Sequence, residues 1–308
     1  MKKILVLGAN GMLGAMLTRW FSSTLAFSVT ATTRNGQSSE ALRAFLPSGQ
    51  DVEFIPLNAD TITAKELTAI LGNYDFAINA IGLIKQKIRD KNLEDYESTL
   101  RANALFPIIL GQAAEQSGTK VIQIATDCVY TGVDGKYNED HLHDANDIYG
   151  RSKSAGEVIS KNQINLRCSV IGPELASSYS LLSWFLANPQ GSTINGFSNH
   201  TWNGVTSLHF AKICQGVIEN QTPISLDFVP HIIPANTISK LDLLRSFQKN
   251  FNRQDMTVAE KQATEAIDRT LTTNHPDLNI ELWRNAGHDA PPTIESMVEE
   301  LATYIGQK

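Results

Sequence analysis

The sequence predicts an α/β protein with a doubly wound parallel sheet and a smaller C-terminal α/β cap. Short apolar runs alternate with helical stretches over residues 1–171, as in parallel sheets joined by right-handed crossovers. A glycine-rich turn follows the first run directly. The pattern changes at Gly172-Pro173, so we predict a sheet domain over 1–171 and mainly a substrate-binding cap over 172–308.

Each predicted strand of the sheet is a short run rich in β-branched and other apolar residues. The six runs lie at 4–7, 27–32, 52–57, 76–80, 121–125 and 164–168. Apolar residues at helical spacing predict helices at 63–71 and 95–117, and Pro107 should bend the second because proline removes a backbone donor.

The cap is predicted to be mainly helical. Its helices lie at 178–187, 207–219 and 238–250, and its last helix begins after Thr293 as N-cap and runs to about residue 305. Short strands at 224–229 and 231–233 are expected to return to the main sheet and join the two domains.

The composition excludes several classes of partner. The 308 residues carry a formal net charge of −6 without a basic stripe, which argues against nucleic acid. The three cysteines are far apart and fit neither a disulfide framework nor a metal spacing, so we expect a cytoplasmic protein with no metal. No run approaches the ~18 apolar residues of a membrane span, and we expect no membrane partner.

The turn after the first strand indicates a dinucleotide site. Strand, glycine spacing and helix follow one another, as such a turn requires. Gly8 permits the tight turn, Gly11 lets the backbone approach a pyrophosphate, and Gly14 lets the helix pack on the strand. The helix N-terminus offers unpaired N–H groups to the phosphates. We predict cofactor contacts at Gly8, Asn10, Gly11, Met12, Leu13 and Gly14.

The end of the second strand favours NADPH as the cofactor. An acidic residue there would bind the 2′-hydroxyl of NAD, whereas an arginine accommodates the extra phosphate of NADP. This chain has Thr33-Arg34, so we predict NADPH, with NADH as the alternative. Asn58, Asn79 and Ala80 follow the third and fourth strands and are predicted to contact the same cofactor.

Tyr149 and Lys153 lie four residues apart in a predicted helix, so their side chains share one face. A nearby ammonium favours the phenolate, and we expect Lys153 to lower the tyrosine pKa from its reference of about 10. Tyr149 is therefore predicted to be the acid for a carbonyl that becomes an alcohol.

The chain resembles the extended short-chain dehydrogenase/reductases over essentially its whole length. Within them it is similar to dTDP-4-dehydrorhamnose reductase and related nucleotide-sugar 4-ketoreductases. Besides the glycine turn, three segments carry the resemblance. They are Thr126-Asp127-Cys128-Val129-Tyr130-Thr131-Gly132, Tyr149-Gly150-Arg151-Ser152-Lys153 with Gly156-Glu157, and Ile232 to Leu244 with Asp242 in the place of the family's glutamate.

The resemblance implies a Rossmann domain and NADPH-dependent reduction of a 4-keto nucleotide sugar, in deoxysugar or surface polysaccharide biosynthesis. Tyr149 would protonate the oxygen at C4 while Thr126 hydrogen-bonds it. Lys153 would depress the tyrosine pKa and bind the nicotinamide ribose, so Tyr149 and Lys153 are both catalytic and cofactor contacts. Asn103 would support a proton relay or serve as a structural helix asparagine.

Departures from the family pattern bear on the substrate. The nucleotide-sugar 4,6-dehydratases have an Asp-Glu pair where this chain has Asp127-Cys128, which disfavours dehydration. Cys128 also replaces the reductases' tyrosine, and their tryptophan after Leu166-Arg167 is absent, so a sugar other than rhamnose is at least as consistent. Predicted substrate contacts are Asp127, Cys128, Trp202 and Asn203, and Lys85 and Lys87 either meet substrate phosphates or are solvated.

Two other functions stay open. An epimerase on the same scaffold would return the hydride to its substrate, but epimerases generally recycle bound NAD and Arg34 favours NADP. A non-enzymatic NADP-binding regulatory subunit has no need of Thr126, Tyr149 and Lys153 together. The oligomeric state is also open, with a homodimer as one possibility.

Overall fold

The computed structural model describes residues 1–306 except 51, 90, 91, 223, 225 and 226. Its centre is a six-stranded sheet in the order β3-β2-β1-β4-β5-β6, with every neighbouring pair parallel. The strands are β1 Lys2–Leu7, β2 Phe27–Thr33, β3 Glu53–Pro56, β4 Phe76–Asn79, β5 Lys120–Ala125 and β6 Gln163–Arg167. The predicted doubly wound sheet is confirmed.

Helices cover both faces of the sheet, and successive residues of β1 show why. Ile4 and Val6 lie in one apolar cluster and Leu5 and Leu7 in a second, because neighbouring strand residues point to opposite faces. The helices of this half are α1 Met12–Ser22, α2 Glu40–Phe45, α3 Ala64–Leu71, α4 Leu93–Leu100, α5 Phe106–Ser117 and α6 Ile148–Ala155.

The predicted helix 95–117 is not one regular helix. Residues Arg101–Leu105 form a π-helical segment between α4 and α5. Pro107 lies in the first turn of α5, and having no N–H it cannot donate to the carbonyl of Asn103 four residues earlier. The wider turn therefore replaces the predicted bend, with Asn103 buried inside it.

The C-terminal half contains five helices and seven short strands among the described residues. The helices are α7 Leu181–Ala187, α8 Ser207–Asn220, α9 Lys240–Asn250, α10 Pro276–Asn285 and α11 Ile294–Gly306. The strands are β7 Val170–Ile171, β8 Thr193–Phe197, β9 His200–Trp202, β10 Val205–Thr206, β11 Ile238–Ser239, β12 Thr257–Lys261 and β13 Ile267–Asp268. They pair as β10-β7, β11-β9-β13 and β12-β8.

Most helices of this half match the sequence prediction, and Thr293 caps α11 by accepting a hydrogen bond from the Ser296 N–H. The prediction of two short strands that return to the main sheet was wrong in its extent. Residues 225 and 226 of the predicted strand 224–229 lie outside the described part, and the rest of it forms no strand. His231 makes a single parallel bridge with Arg167, at the end of β6.

The two halves share one apolar core on one face of the sheet. Phe21 of α1, Phe210 of α8 and Leu301 of α11 belong to the same buried cluster. Residues after 172 therefore complete the core of the sheet domain, and the cap and its boundary at 171/172 stay predictions. No helix in the described part of the chain is both long and apolar enough to cross a membrane.

Candidate active site

The glycine turn is shaped by close backbone approaches. Gly8 has φ +87°, a conformation that favours glycine, and its N–H donates to the Thr32 hydroxyl at 3.0 Å. A Cβ on Gly14 would lie 2.1 Å from the Gly8 carbonyl oxygen. This contact holds the first turn of α1 against the strand end, as a turn that presents backbone N–H groups to a pyrophosphate requires.

A cavity of about 790 Å³ opens beside this turn, at the carboxyl edge of the sheet. It is lined by seven of the residues predicted to bind the cofactor, Gly8, Asn10, Gly11, Thr33, Arg34, Asn58 and Ala80. The exposed Arg34 has no acidic side chain beside it in the sequence. The glycine approach, the cavity and this cation fit a dinucleotide with an additional phosphate.

The other predicted cofactor contacts lie away from the cavity wall. Leu13 is buried in the core, and Met12 faces Gly172. Asn79 is buried, with its Nδ2 donating to Gln123 at 2.6 Å and its Oδ1 accepting from the Ile81 N–H at 3.0 Å. Asn79 therefore shapes the strand end from within.

The sequence analysis did not predict the residues that line one side of the cavity. Asp95, Ser98, Thr99 and Ala102 line it from α4 and the π-helical segment. Their spacing of three, one and three residues places them on one helix face. That polar stripe was a signal in the sequence, although nothing in it showed that the face meets a cavity.

Thr126 directly follows β5 and caps a short 3-10 turn, Asp127–Val129, by accepting from the Cys128 N–H at 3.2 Å. Helix α6 begins at Asp147, whose side chain accepts from the Gly150 N–H at 2.8 Å. A Cβ on Gly150 would lie 2.3 Å from the Cys128 carbonyl oxygen, so the helix packs tightly on the Thr126 turn. This packing places the Tyr149 side chain near Thr126, close enough for Thr126 to act on the tyrosine pKa.

The predicted lowering of the Tyr149 pKa is wrong. Although part of the residue is exposed, burial of the phenol raises its pKa, and the nearby Thr126 opposes the shift only in part. The charge of Lys153, whose ammonium donates to the Ile124 carbonyl at 3.0 Å, does not overcome this rise. Tyr149 is thus a neutral phenol that keeps its proton at neutral pH.

Lys153 is itself perturbed. It is 8% exposed, and burial lowers its pKa to about 8, against the opposing charge of Glu157. Glu157 forms a salt bridge with Arg167 at 2.7 Å. A lysine charged near neutrality and a neutral tyrosine therefore share α6.

Asp127 and Cys128 form the start of the 3-10 turn that Thr126 caps. Burial raises the pKa of Asp127, and the positive charge of Arg269 opposes this shift. Burial raises the pKa of Cys128 to about 12, so the thiol stays protonated and is no nucleophile. Arg269, which donates to the Tyr130 carbonyl at 2.9 Å, was not singled out in the sequence.

Trp202 and Asn203 make structural contacts in the C-terminal half. The Trp202 indole donates to Ser169 at 2.9 Å. The Asn203 side chain is buried and pairs with both backbone groups of Leu271, at 2.7 and 2.9 Å. The roles of Asp127, Cys128, Trp202 and Asn203 toward a substrate stay predictions.

For three further residues, Lys85, Lys87 and Asn103, the sequence left two possible roles open. Lys85 forms an ion pair with Asp147 at 2.7 Å, and Lys87 lines the cavity. Asn103 pairs with both backbone groups of Leu83, at 2.8 and 2.9 Å, and its Nδ2 also donates to Ser152 at 3.3 Å. These contacts give Asn103 a structural role between the cavity loop and α6.

Comparison with known proteins identifies the family of this chain. The family described as RmlD substrate binding domain matches residues 1–172. The chain belongs to this family. No curated protein sequence matches it significantly.

Solved structures of this fold resemble the chain over nearly its full length. The dTDP-4-dehydrorhamnose reductase of Clostridium acetobutylicum has 17% identity and a TM-score of 0.69, covering 99% of this chain and 100% of its own. That of Bacillus anthracis, in complex with NADP, has 16% identity and a TM-score of 0.70, covering 98% and 99%. The UDP-glucuronic acid 4-epimerase of Bacillus cereus, in complex with NAD, has 19% identity and a TM-score of 0.69, covering 99% and 96%.

These likenesses confirm the predicted extended short-chain dehydrogenase/reductase fold, and with the family they support an oxidoreductase of that kind. The NADP and NAD complexes agree with the prediction of a nicotinamide cofactor. The individual site residues stay predictions.

The buried ammonium gives a stability prediction. Because the folded state depresses the pKa of Lys153, the cost of burial is fully present below about pH 8 and disappears as the pH rises towards the unfolded value. Lys153→Met should therefore raise the free energy of unfolding at pH 7 by about 1–3 kcal/mol. The Ile124 carbonyl keeps a second donor, the side chain of Gln123 at 3.0 Å.

Urea unfolding at pH 7 and pH 10 measures this difference, with the exposed Lys161→Met as control. We expect the gain to shrink at pH 10 and the control to show none. A variant that is less stable than the wild type at pH 7 would contradict the assignment.

Proposed function

We propose that the protein reduces a 4-keto nucleotide sugar with NADPH. The observation that carries this proposal is that Thr126, which follows β5, lies near Tyr149 of α6 at the carboxyl edge of the sheet, the edge at which the glycine turn and its cavity open. Ligands of open α/β sheets bind outside the carboxyl ends of the strands. Relatives in fold that act on nucleotide sugars support the substrate class.

The residues that would hold NADPH lie on the cavity wall. Backbone N–H groups around Gly11 and the start of α1 suit the pyrophosphate, and Arg34 suits the 2′-phosphate. Asn58 and Ala80 line the same cavity. When bound, this cofactor supplies a hydride.

The chain's own residues then manage the substrate oxygen. Tyr149 holds a proton at neutral pH, because burial raises its pKa, and it can deliver that proton to an oxygen that gains negative charge. Thr126 lies near Tyr149 and can donate to the same oxygen. The Lys153 ammonium adds a positive charge that favours both steps.

Epimerisation is the second candidate, because a UDP-glucuronic acid 4-epimerase shares the fold and binds NAD. Arg34 at the end of β2 favours the reductase, since NAD recognition would be served by an acidic residue there.

Arg34 tests the cofactor assignment. Arg34→Asp should weaken NADPH binding by at least about tenfold, because a charge-assisted contact is replaced by repulsion. Binding of NADH should be unchanged or tighter. Calorimetric titration of both cofactors gives the two dissociation constants without any substrate, and Lys65→Asp, an exposed change outside the cavity, serves as control. Equal weakening for both cofactors would sink the assignment.

Turnover tests the function. The protein is mixed with NADPH and a panel of dTDP- and UDP-linked 4-keto sugars, and loss of NADPH absorbance is followed. Tyr149→Phe should lower turnover by at least about 100-fold, since it removes the acid, while NADPH still binds. Tyr74→Phe, a partly buried tyrosine outside the cavity, is the matched control. Unchanged turnover in Tyr149→Phe would reject its role, and interconversion of sugars without NADPH consumption would favour the epimerase.

A further inference from the structure

Arg167 ends β6 and is 3% exposed, yet every donor of its guanidinium has an acceptor. A guanidinium has five N–H donors and no acceptor. Nη1 donates to the Thr126 carbonyl at 2.9 Å and to Glu157 at 2.8 Å. Nη2 donates to Glu157 at 2.7 Å and faces His143 Nε2 at 3.0 Å, and Nε donates to His231 Nε2 at 3.1 Å.

These contacts fix the state of both histidines. Because Arg167 can only donate, Nε2 of His143 and of His231 must each present a lone pair. The proton of each ring then lies on Nδ1, which faces Ser154 Oγ at 2.7 Å in His143 and the Thr272 carbonyl at 2.8 Å in His231. Burial lowers the pKa of both rings, which agrees with neutral imidazoles.

The network reaches each part of the chain that forms the site. Thr126 directly follows β5, and Ser154 follows Lys153 on α6. His231 and Thr272 belong to the C-terminal half, so Arg167 joins that half to the catalytic turn. Glu157 supplies a negative charge beside the guanidinium and also opposes the fall in the Lys153 pKa.

We propose that Arg167 is a positioning residue that fixes the Thr126 turn against α6 and against the C-terminal half. This inference rests on the proposed function, in which the Thr126 hydroxyl must meet the substrate oxygen in one orientation. A lysine could neutralise Glu157, but its three donors cannot hold the carbonyl, the carboxylate and two imidazoles in one plane. The geometry therefore calls for arginine and not merely for a buried positive charge.

A merely stabilising ion pair would have different consequences. It would require only a cation beside Glu157 and would be indifferent to the histidine tautomers. The positioning role predicts that the tautomers depend on Arg167 and that kcat responds to the network while NADPH affinity does not.

The first arm of the test is free of any substrate. In protein labelled with ¹⁵N at histidine, NMR of the wild type should show His143 and His231 as neutral Nδ1–H tautomers at pH 7. Arg167→Lys should shift both signals towards a mixture, whereas Arg151→Lys, an exposed arginine on α6, should leave them unchanged. An Nε2–H tautomer at either histidine of the wild type would overturn the network.

The second arm measures steady-state reduction of the sugar that turns over best. Arg167→Lys should lower kcat by about tenfold or more, with NADPH affinity unchanged, because small misplacements of reacting groups carry large rate penalties. If this variant does not fold, His231 provides the test. His231→Leu should lower kcat by leaving a guanidinium donor unpaired, and His231→Gln should restore most of it.

The two arms separate the claims. If the wild type reduces no sugar, the proposed function fails, and the NMR signature alone decides whether the network exists. If the wild type is active and Arg167→Lys keeps full kcat, the positioning role is rejected while the proposed function stands.

Discussion

The arrangement of this site depends on one costly burial, that of the Lys153 ammonium under the end of β5. The group lies on the Ile124 carbonyl, and the pKa falls to about 8 because protein replaces water around it. Glu157 offsets part of this cost, and Glu157 is in turn held by Arg167. The positive charge of Arg167 itself opposes the ionisation of Lys153, while its guanidinium donates to the Thr126 carbonyl and so links Glu157 to the turn after β5.

Local sequence pattern was sufficient for the sheet and for the cofactor turn. The apolar runs of β1 to β6 and the spacing of Gly8, Gly11 and Gly14 are local signals, and each one determines structure within a few residues. Tyr149 and Lys153 were found by their spacing of four residues and Thr126 through a family motif, and the structure places Thr126 near Tyr149.

What the sequence could not show are effects of distant neighbours. The predicted direction of the Tyr149 pKa shift was wrong because the i, i+4 spacing reports only that Lys153 is near, while burial of the phenol decides the direction. The contacts of Arg167 with His143 and His231 span 24 and 64 residues. Arg269 likewise reaches the turn from the far end of the chain.

The central claim is that Lys153 is a buried lysine with a lowered pKa, which adds a positive charge to a site whose proton donor, Tyr149, is neutral. NMR of lysine side-chain ¹⁵N resonances, titrated by pH in the wild type and assigned with Lys153→Met, measures that lysine directly. We expect the Lys153 resonance to titrate near pH 8, well below the reference of about 10.4 for a free lysine side chain. A Lys153 resonance that titrates together with the exposed lysines would contradict the central claim.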